Sequence, residues 1–218
     1  MNDAPPSGIS ADDLRRLARE RLLPPLAEDA LAADAAPRAG DYALNGPAPD
    51  LPAIARARPA AVLAAIVERS EGLSVLLTRR AAHLRMHSGQ IAFPGGKIDA
   101  GERARETALR EAREEIGLEE RYVEPLGWLD PYLTSTGFRI APLVALVDPG
   151  FALLVNAHEV AEVFEAPFAF LMNPANHRLE EREWQGRKRK FYAMPYGERY
   201  IWGATAGMLR NLYERLFS

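Results

Sequence analysis

Three glutamates lie close together in residues 96–118, which read G-K-I-D-A-G-E-R-A-R-E-T-A-L-R-E-A-R-E-E-I-G-L. A helix turns by roughly 100° per residue, so Glu111, Glu114 and Glu115 are predicted to form one acidic stripe. Like charges at these spacings destabilise a helix by about 0.2–0.5 kcal/mol per pair. A hard divalent cation reverses that repulsion, and Mg²⁺ is usually shared between protein carboxylates and substrate phosphates. The pattern therefore predicts metal-assisted chemistry on a phosphate compound.

The alternative is a solvated helix held by ion pairs, because Arg110 stands four residues after Glu106 and four before Glu114. The segment just upstream argues for the metal site. It reads F-P-G-G and ends in Gly95 and Gly96, and two glycines after a proline favour a tight turn with positive φ available at either one. Such a turn leaves room for a phosphate, so both glycines are predicted to shape the site.

These residues resemble the signature of the Nudix hydrolases, G-x5-E-x7-R-E-U-x-E-E-x-G-U, in which U is a bulky aliphatic residue. Its fixed and final positions are filled by Gly96, Glu102, Arg110, Glu111, Glu114, Glu115, Gly117 and Leu118. Ala112 is the single departure, because it is smaller than the usual aliphatic residue, and it removes no ligand. The resemblance implies an α/β/α sandwich with a mixed β-sheet, and cleavage of a nucleoside diphosphate linked to another group.

The resemblance also implies the cofactor. Two or three Mg²⁺ or Mn²⁺ ions would be held by Glu111, Glu114, Glu115 and the backbone of Gly95. They would bridge the diphosphate oxygens and lower the pKa of a bound water, which is the nucleophile. Glu111 and Glu115 are expected to be the indispensable ligands.

Supporting residues follow from the same resemblance. Glu102 and Arg110 are expected to orient the metal ligands rather than to bind the ions themselves. The general base stays open, because Glu114 could act directly and either Glu159 or Glu162 could be supplied by a later loop.

A second pattern precedes the two glycines. L-L-T-R-R-A at residues 76–81 is followed by Arg85, Gly89 and F-P-G-G. The order L-L-T-x-R-[SA]-x3-R-x3-G-x3-F-P-G-G resembles the coenzyme A pyrophosphatase branch of the same family. This resemblance implies hydrolysis of coenzyme A, or of an acyl-CoA, to 3′,5′-ADP and 4′-phosphopantetheine or its acylated form.

Cationic side chains are concentrated in this second pattern, and guanidinium groups bind phosphate oxygens in bidentate fashion. The predicted substrate-binding residues are Arg79, Arg80, Arg85, His87 and Gly96. The alternative for some of these arginines is a solvated or ion-paired role. His83 and His87 are four residues apart, as zinc ligands on a helix can be, but the oxygen-rich acidic cluster favours phosphate contact for them.

Two other functions stay open at this point. One is a related enzyme acting on another dinucleotide such as ADP-ribose or NADH, in which case the second pattern would be coincidental. The other is a non-catalytic module that binds a nucleotide. Magnesium-dependent release of 3′,5′-ADP would distinguish the enzyme from the module.

Composition sets the remaining limits. The chain has 218 residues, 48% of them hydrophobic, which suits one domain with an extension. A net charge of −3 argues against binding nucleic acid or an anionic membrane, and the absence of cysteine excludes disulfides and thiolate chemistry. Without a signal or spanning segment, a cytoplasmic location is expected. The alanine- and arginine-rich composition is typical of a bacterial protein, and a homodimer stays open.

The predicted organisation is an N-terminal helix and alanine- and proline-rich arm over residues 1–50, then the Nudix domain over residues 51–218. A capping box at Ser10 is expected to open the first helix, and residues 24–59 are expected to be irregular. Later helices are predicted at 102–116, 167–172 and 203–216. Strands are predicted at residues 60–67, 73–78, 123–129, 138–147, 159–164, 178–184 and 188–194.

Overall fold

The computed structural model describes residues 8–24, 38–47, 50–83, 89–184 and 186–218. Its helices are α1 (Ala11–Arg21), α2 (Tyr42–Asn45), α3 (Leu51–Arg56), α4 (Ala104–Ile116), α5 (Phe168–Leu171) and α6 (Ala204–Phe217). Its strands are β1 (Ala39–Gly40), β2 (Arg58–Arg69), β3 (Gly72–Arg80), β4 (Ile91–Ala92), β5 (Gly95–Lys97), β6 (Val123–Trp128), β7 (Tyr132–Leu133), β8 (Phe138–Val147), β9 (Val160–Pro167), β10 (Arg178–Trp184), β11 (Arg187–Tyr196) and β12 (Arg199–Trp202). None of the helices in these described stretches is long and apolar enough to cross a bilayer.

A large mixed sheet forms the centre of the molecule. Its main path runs β1-β7-β8-β2-β3-β4, with β5 paired to β2, β6 to β8 and β9 to β3. Strand β2 runs parallel to β8 from the pair Arg58↔Phe138 to the pair Val67↔Val147, and antiparallel to β3. A smaller sheet has the order β10-β11-β12.

Both faces of the large sheet are buried, which explains why β2 is almost continuously apolar. Alternate residues point to opposite faces. Leu63 packs into one core with Ala108 and Ala112 of α4. Ile66 packs into the other core with residues of α1, α5 and α6, among them Leu14. Helices therefore cover both faces, and the predicted α/β/α sandwich with a mixed sheet is confirmed.

The helix that carries the glutamates has clear ends. It begins at Ala104, two residues later than predicted, and ends at Ile116. Gly117 follows in the left-handed conformation (φ 75°), and its N–H closes the helix on Arg113 O, so the predicted stop is confirmed. Ala112 is fully buried against β2 and β8, so its small size allows the helix to lie close to the sheet.

The N-terminal prediction is confirmed in part. Ser10 and Asp13 form the expected capping box, and α1 docks against β6 and α6. The irregular arm predicted for residues 24–59 is wrong where the structure describes it, because β1, α2 and α3 lie there and β2 already begins at Arg58. These elements are two to six residues long, apart from β2, and are too short to show a period. The arm residues 25–37 and 48–49 lie outside the described ranges.

Candidate active site

The glycine pair lies in a strand, so the predicted tight turn is wrong. Gly95 pairs with Val62, and Gly96 pairs with Ala61 of β2. A Cβ on Gly95 would lie 2.4 Å from the Ala61 carbonyl oxygen, and one on Gly96 would lie 2.1 Å from Oε1 of Glu111. The glycines are therefore needed because β5 approaches both β2 and the acidic helix closely.

Glu115 is the most buried of the acidic residues, with 3% of its side chain exposed. Its nearest cation is Arg80, whose Nη1 lies 3.7 Å from Oε1, and the Gly95 N–H donates to Oε2 over 3.4 Å. Burial raises the pKa of Glu115 to about 8, against the opposing effect of Arg80. A buried carboxylate with such distant partners is costly, and a closely bound cation would offset that cost.

Arg110 holds three carboxylates at once. Its Nε donates to Glu102 over 2.8 Å, and its Nη1 donates to Glu111 over 2.9 Å and to Glu114 over 3.1 Å. Burial raises the pKa of Glu111 even though Arg110 lowers it. The sequence predicted that Arg110 orients the acidic residues, and these contacts are of that kind.

Glu102 is itself fixed from several sides. The Thr107 hydroxyl donates to its Oε2 over 2.6 Å, and the Asp99 N–H donates to the same oxygen over 3.2 Å. The Arg110 guanidinium, helped by Thr107, lowers the pKa of Glu102 to about 2 despite its burial. Glu102 is therefore ionised at neutral pH, and it anchors Arg110 in place.

Glu159 and Glu162, the two later candidates for the general base, differ in their partners. Glu162 binds Arg79, with Nη2 3.1 Å from Oε2, and it also binds Arg199. Glu159 accepts a hydrogen bond from Asn156 Nδ2 over 3.2 Å, and it forms no ion pair within the described part of the chain. The charge of Glu159 contributes to the raised pKa of both Glu111 and Glu115, after burial, so Glu159 lies near them.

The two neighbouring arginines of β3, Arg79 and Arg80, have partners on opposite faces of the sheet. Arg80 lies with Glu115 of α4. Arg79 is paired with Glu162 of β9, two positions along the strands from the pair Leu77↔Phe164. Leu77 and Phe164 belong to the core under α6, so Arg79 lies on that face of the sheet. Only Arg80 therefore lies with the acidic helix. His83 is exposed, and the predicted contacts Arg85 and His87 lie outside the described residues.

The donor set suits a hard divalent ion only in part. Over the described ranges, no group of three or more Asp, Glu, His or Cys side chains stands ready to hold a metal. Glu115 is a buried oxygen donor with a distant cation partner, and Glu111 is a half-buried one, which fits Mg²⁺ or Mn²⁺. Glu114 is 56% exposed and shares Arg110 with Glu111, so it would have to turn away from that guanidinium to join them.

Sequence reasoning did not find Asn156, Thr107 or Arg199. Thr107 and Asn156 are polar residues without charge, and nothing in their spacing marks the carboxylates that they contact. Arg199 follows the second pattern by more than a hundred residues, and only the fold brings it to Glu162. A signal for a turn at Asn156 did exist, because asparagine is a common turn residue whose side chain bonds the backbone two residues on, as it does here to the His158 N–H.

Comparisons with known proteins agree on one family. The NUDIX domain family matches residues 57–190. A protein named uncharacterized Nudix hydrolase NudL, from Yersinia pestis (strain Pestoides F), is 39% identical over 160 residues, which are 73% of this chain and 80% of the relative. NudL of Yersinia pseudotuberculosis serotype O:1b gives the same values. Among solved structures, the NUDIX domain of Shewanella oneidensis NrtR complexed with ADP ribose is 19% identical, with a TM-score of 0.47, covering 81% of this chain and 97% of that one.

Proposed function

This chain belongs to the Nudix hydrolase family, and on that premise we propose that it cleaves the diphosphate bond of coenzyme A or an acyl-CoA with Mg²⁺ or Mn²⁺. The products are 3′,5′-ADP and 4′-phosphopantetheine or its acylated form. The observation that carries the proposal is the pair Glu111 and Glu115 at the contact between α4 and β5, where Glu115 is buried with its arginine partner 3.7 Å away and Glu111 is half-buried against Gly96.

Each residue of the site has a part in this reaction. Glu111 and Glu115 would hold the cations, which supply charge neutralisation for the diphosphate and acidify a water. Glu102 fixes Arg110, and Arg110 fixes the Glu111 carboxylate against β5. Arg80, half-buried beside Glu115, presents a guanidinium that suits a phosphate oxygen.

Among the three open candidates for the general base, the contacts favour Glu159. Glu114 is bound by Arg110, and Glu162 is bound by two arginines, so both carboxylates are stabilised in place as ion pairs. Glu159 has only the neutral amide of Asn156 as a side-chain partner in the described part of the chain. Glu159 is therefore the candidate whose carboxylate no arginine of the described residues holds in an ion pair, and this favours it as the base.

The coenzyme A assignment rests on the second sequence pattern. The first of its two fixed arginines is Arg80, which lies beside Glu115, and its last two residues are the glycines of β5. The pattern therefore belongs to the same site as the acidic helix. A general phosphate-binding arginine would serve other dinucleotides too, so the substrate has to be tested directly.

The test is a turnover screen of coenzyme A, acetyl-CoA, ADP-ribose and NADH, each with Mg²⁺ and with Mn²⁺. We expect 3′,5′-ADP from the two coenzyme A compounds at a kcat/KM at least about tenfold above the others, a difference of about 1.4 kcal/mol in transition-state binding. Glu111→Gln should remove this activity, while Glu181→Gln, an exposed ion-pair residue of the small sheet, should keep it. Equal rates on ADP-ribose and coenzyme A would contradict the substrate, and no turnover at all would favour a binding module.

A further inference from the structure

We propose that Asn156 is a positioning residue, which holds the Glu159 carboxylate at the acidic helix in a conformation able to accept a proton. This inference rests on the proposed function, and it assigns a role to a residue outside both sequence signatures. Asn156 forms four hydrogen bonds with residues 158–160 and one with α4, and these bonds place it where such a role requires.

The segment that contains Asn156 is tied to the end of α4. The Asn156 N–H donates to the Glu115 carbonyl over 2.9 Å, and the Leu154 N–H donates to the Ile116 carbonyl over the same distance. These are two of the carbonyls that a helix leaves without an internal partner at its C-terminus. Gly117 allows the approach, because a Cβ there would lie 2.6 Å from Leu154 Cβ. The position of Asn156 relative to Glu115 is therefore set by backbone contacts.

Asn156 also forms the turn that leads into β9. Its Oδ1 accepts from the His158 N–H over 3.1 Å, and its carbonyl accepts from the N–H groups of Glu159 (3.0 Å) and Val160 (2.9 Å). Its Nδ2 donates to Glu159 Oε1 over 3.2 Å. One residue thus joins the helix that carries Glu115 to the carboxylate of Glu159.

The absence of charge on the Asn156 amide matters as much as the position of that amide beside Glu159. Glu159 carries the same charge as Glu111 and Glu115, whose pKa values it helps to raise, and this repulsion would push an unheld Glu159 carboxylate towards solvent. An arginine would hold it in place but would also lower its basicity, as Arg110 does for Glu102. A neutral amide donor holds the carboxylate with a smaller loss of basicity. Asn156 therefore suits a base, whereas the guanidinium partners of Glu162 do not.

The turn and the contact to Glu159 use different atoms, so one substitution separates them. Asn156→Asp keeps an oxygen for the His158 N–H and keeps every backbone contact, but it replaces the Nδ2 donor with an acceptor that repels Glu159. Asn173→Asp is the matched control, because the Oδ1 of Asn173 also caps a turn, accepting from the Ala175 N–H over 3.0 Å. Asn156→Ser is a second variant, since its hydroxyl can keep the turn but is too short to reach Glu159.

The experiment measures kcat, KM and Mn²⁺ affinity with coenzyme A for the full chain and these variants. For Asn156→Asp and Asn156→Ser we expect kcat to fall by about 10–100-fold, the usual cost of losing an orienting partner, with KM and metal affinity changed less than about twofold. Asn173→Asp should match the wild type. Wild-type kcat in both Asn156 variants, or a loss of metal affinity as large as the loss of kcat, would overturn the proposal.

A double-mutant cycle shows whether Asn156 acts through Glu159. If it does, Asn156→Asp should lower kcat by less than about twofold when it is added to Glu159→Gln, because the carboxylate to be positioned is already gone. An undiminished loss in that background would overturn the proposal while leaving the proposed function intact. A wild-type protein that turns over none of the four compounds in the screen would overturn the proposed function, and the positioning role with it.

Discussion

Gly96 illustrates how one absent side chain can make room for a carboxylate. Its Cα faces the Glu111 carboxylate so closely that an added Cβ would lie 2.1 Å from Oε1 and 2.3 Å from Cδ. The three atoms nearest to that Cβ all belong to the far end of the flexible Glu111 side chain. We therefore expect Gly96→Ala to fold with a loss of less than about 1 kcal/mol but to push Glu111 out of place, lowering kcat/KM by at least about 100-fold.

The control for this prediction is Gly150→Ala. Gly150 follows β8, and a Cβ there would meet Asp148 Oδ1 at 3.1 Å and Tyr122 Cε1 at 3.9 Å, both side-chain atoms. Its activity and its midpoint in urea should match the wild type. Wild-type activity in Gly96→Ala, with Mn²⁺ saturating, would show that the position of Glu111 does not limit the reaction.

At the level of single residues, the sequence predicted the acidic cluster well because its spacing follows one helix. It could not tell that Arg79 and Arg80 serve different faces of the sheet, since that depends on the strand that carries them. Nor could it tell that Gly95 is constrained by the carbonyl of Ala61, because that contact is made across a sheet. The roles of the site residues stay predictions until the variants are measured.

At the level of elements, Glu165 of β9 ties together the two strands that form the middle of the sheet. Arg69 at the end of β2 donates to it through Nη2 over 2.6 Å and through Nε over 3.2 Å, and the Ser74 hydroxyl of β3 also donates to it. The Arg69 hydrogen bonds lower the pKa of Glu165 below its ordinary value of 4.5, although burial opposes them. The pair therefore joins β2, β3 and β9 through a charged contact.

Glu165→Gln should lower the free energy of unfolding and reduce the dependence of that free energy on pH in the acid range. Charge-assisted hydrogen bonds of this kind are worth about 1–2 kcal/mol, so we expect that loss at pH 7. Because the folded pKa is below 4.5, the contribution is complete above that pH and disappears as the pH falls below it. In urea unfolding between pH 3 and pH 7, the difference in the free energy of unfolding between wild type and variant should therefore shrink as the pH falls.

The matched control is Glu181→Gln, whose partner Lys188 is 79% exposed. Exposed ion pairs contribute about 0–1 kcal/mol, so its unfolding curve should follow that of the wild type at every pH. A constant difference between Glu165→Gln and wild type across the acid range would show that the loss comes from packing and not from the charge.

Long elements were predictable, and most short ones were not, although the four-residue helix α5 was predicted to within one residue at each end. Strand β8 and strand β10 have the predicted bounds, and α6 differs by one residue at each end. β8 carries a run of apolar residues and α6 a helical period, while β10 was predicted from the glutamine-glycine pair that follows it in the sequence. Strands β4 and β5, of two and three residues, were missed, because their conformation is fixed by pairing with β3 and β2 rather than by their own sequence.

At the scale of the whole molecule, the candidate site is assembled from elements that are distant in the sequence. Arg80 comes from β3, Gly95 from β5, Glu115 from α4 and Glu159 from the turn before β9. The large sheet holds the strands, and α4 is fixed on it by the second core. A ligand that bridges these elements should therefore stabilise the whole fold and not only the helix that it touches.

Manganese binding supplies that test. A ligand at a hundredfold excess over its Kd stabilises the folded state by about 2.7 kcal/mol, which for a chain of this size raises Tm by about 5–10 °C. We expect this rise for the wild type after EDTA treatment and Mn²⁺ addition, followed by tryptophan fluorescence, and the rise should grow with the logarithm of the Mn²⁺ concentration. Glu111→Gln and Glu115→Gln should lose it, because each replaces a predicted carboxylate ligand with a neutral amide, while Glu181→Gln should keep it. An equal rise in all four proteins would place the ion away from α4 and β5, and the proposed chemistry would lose its metal.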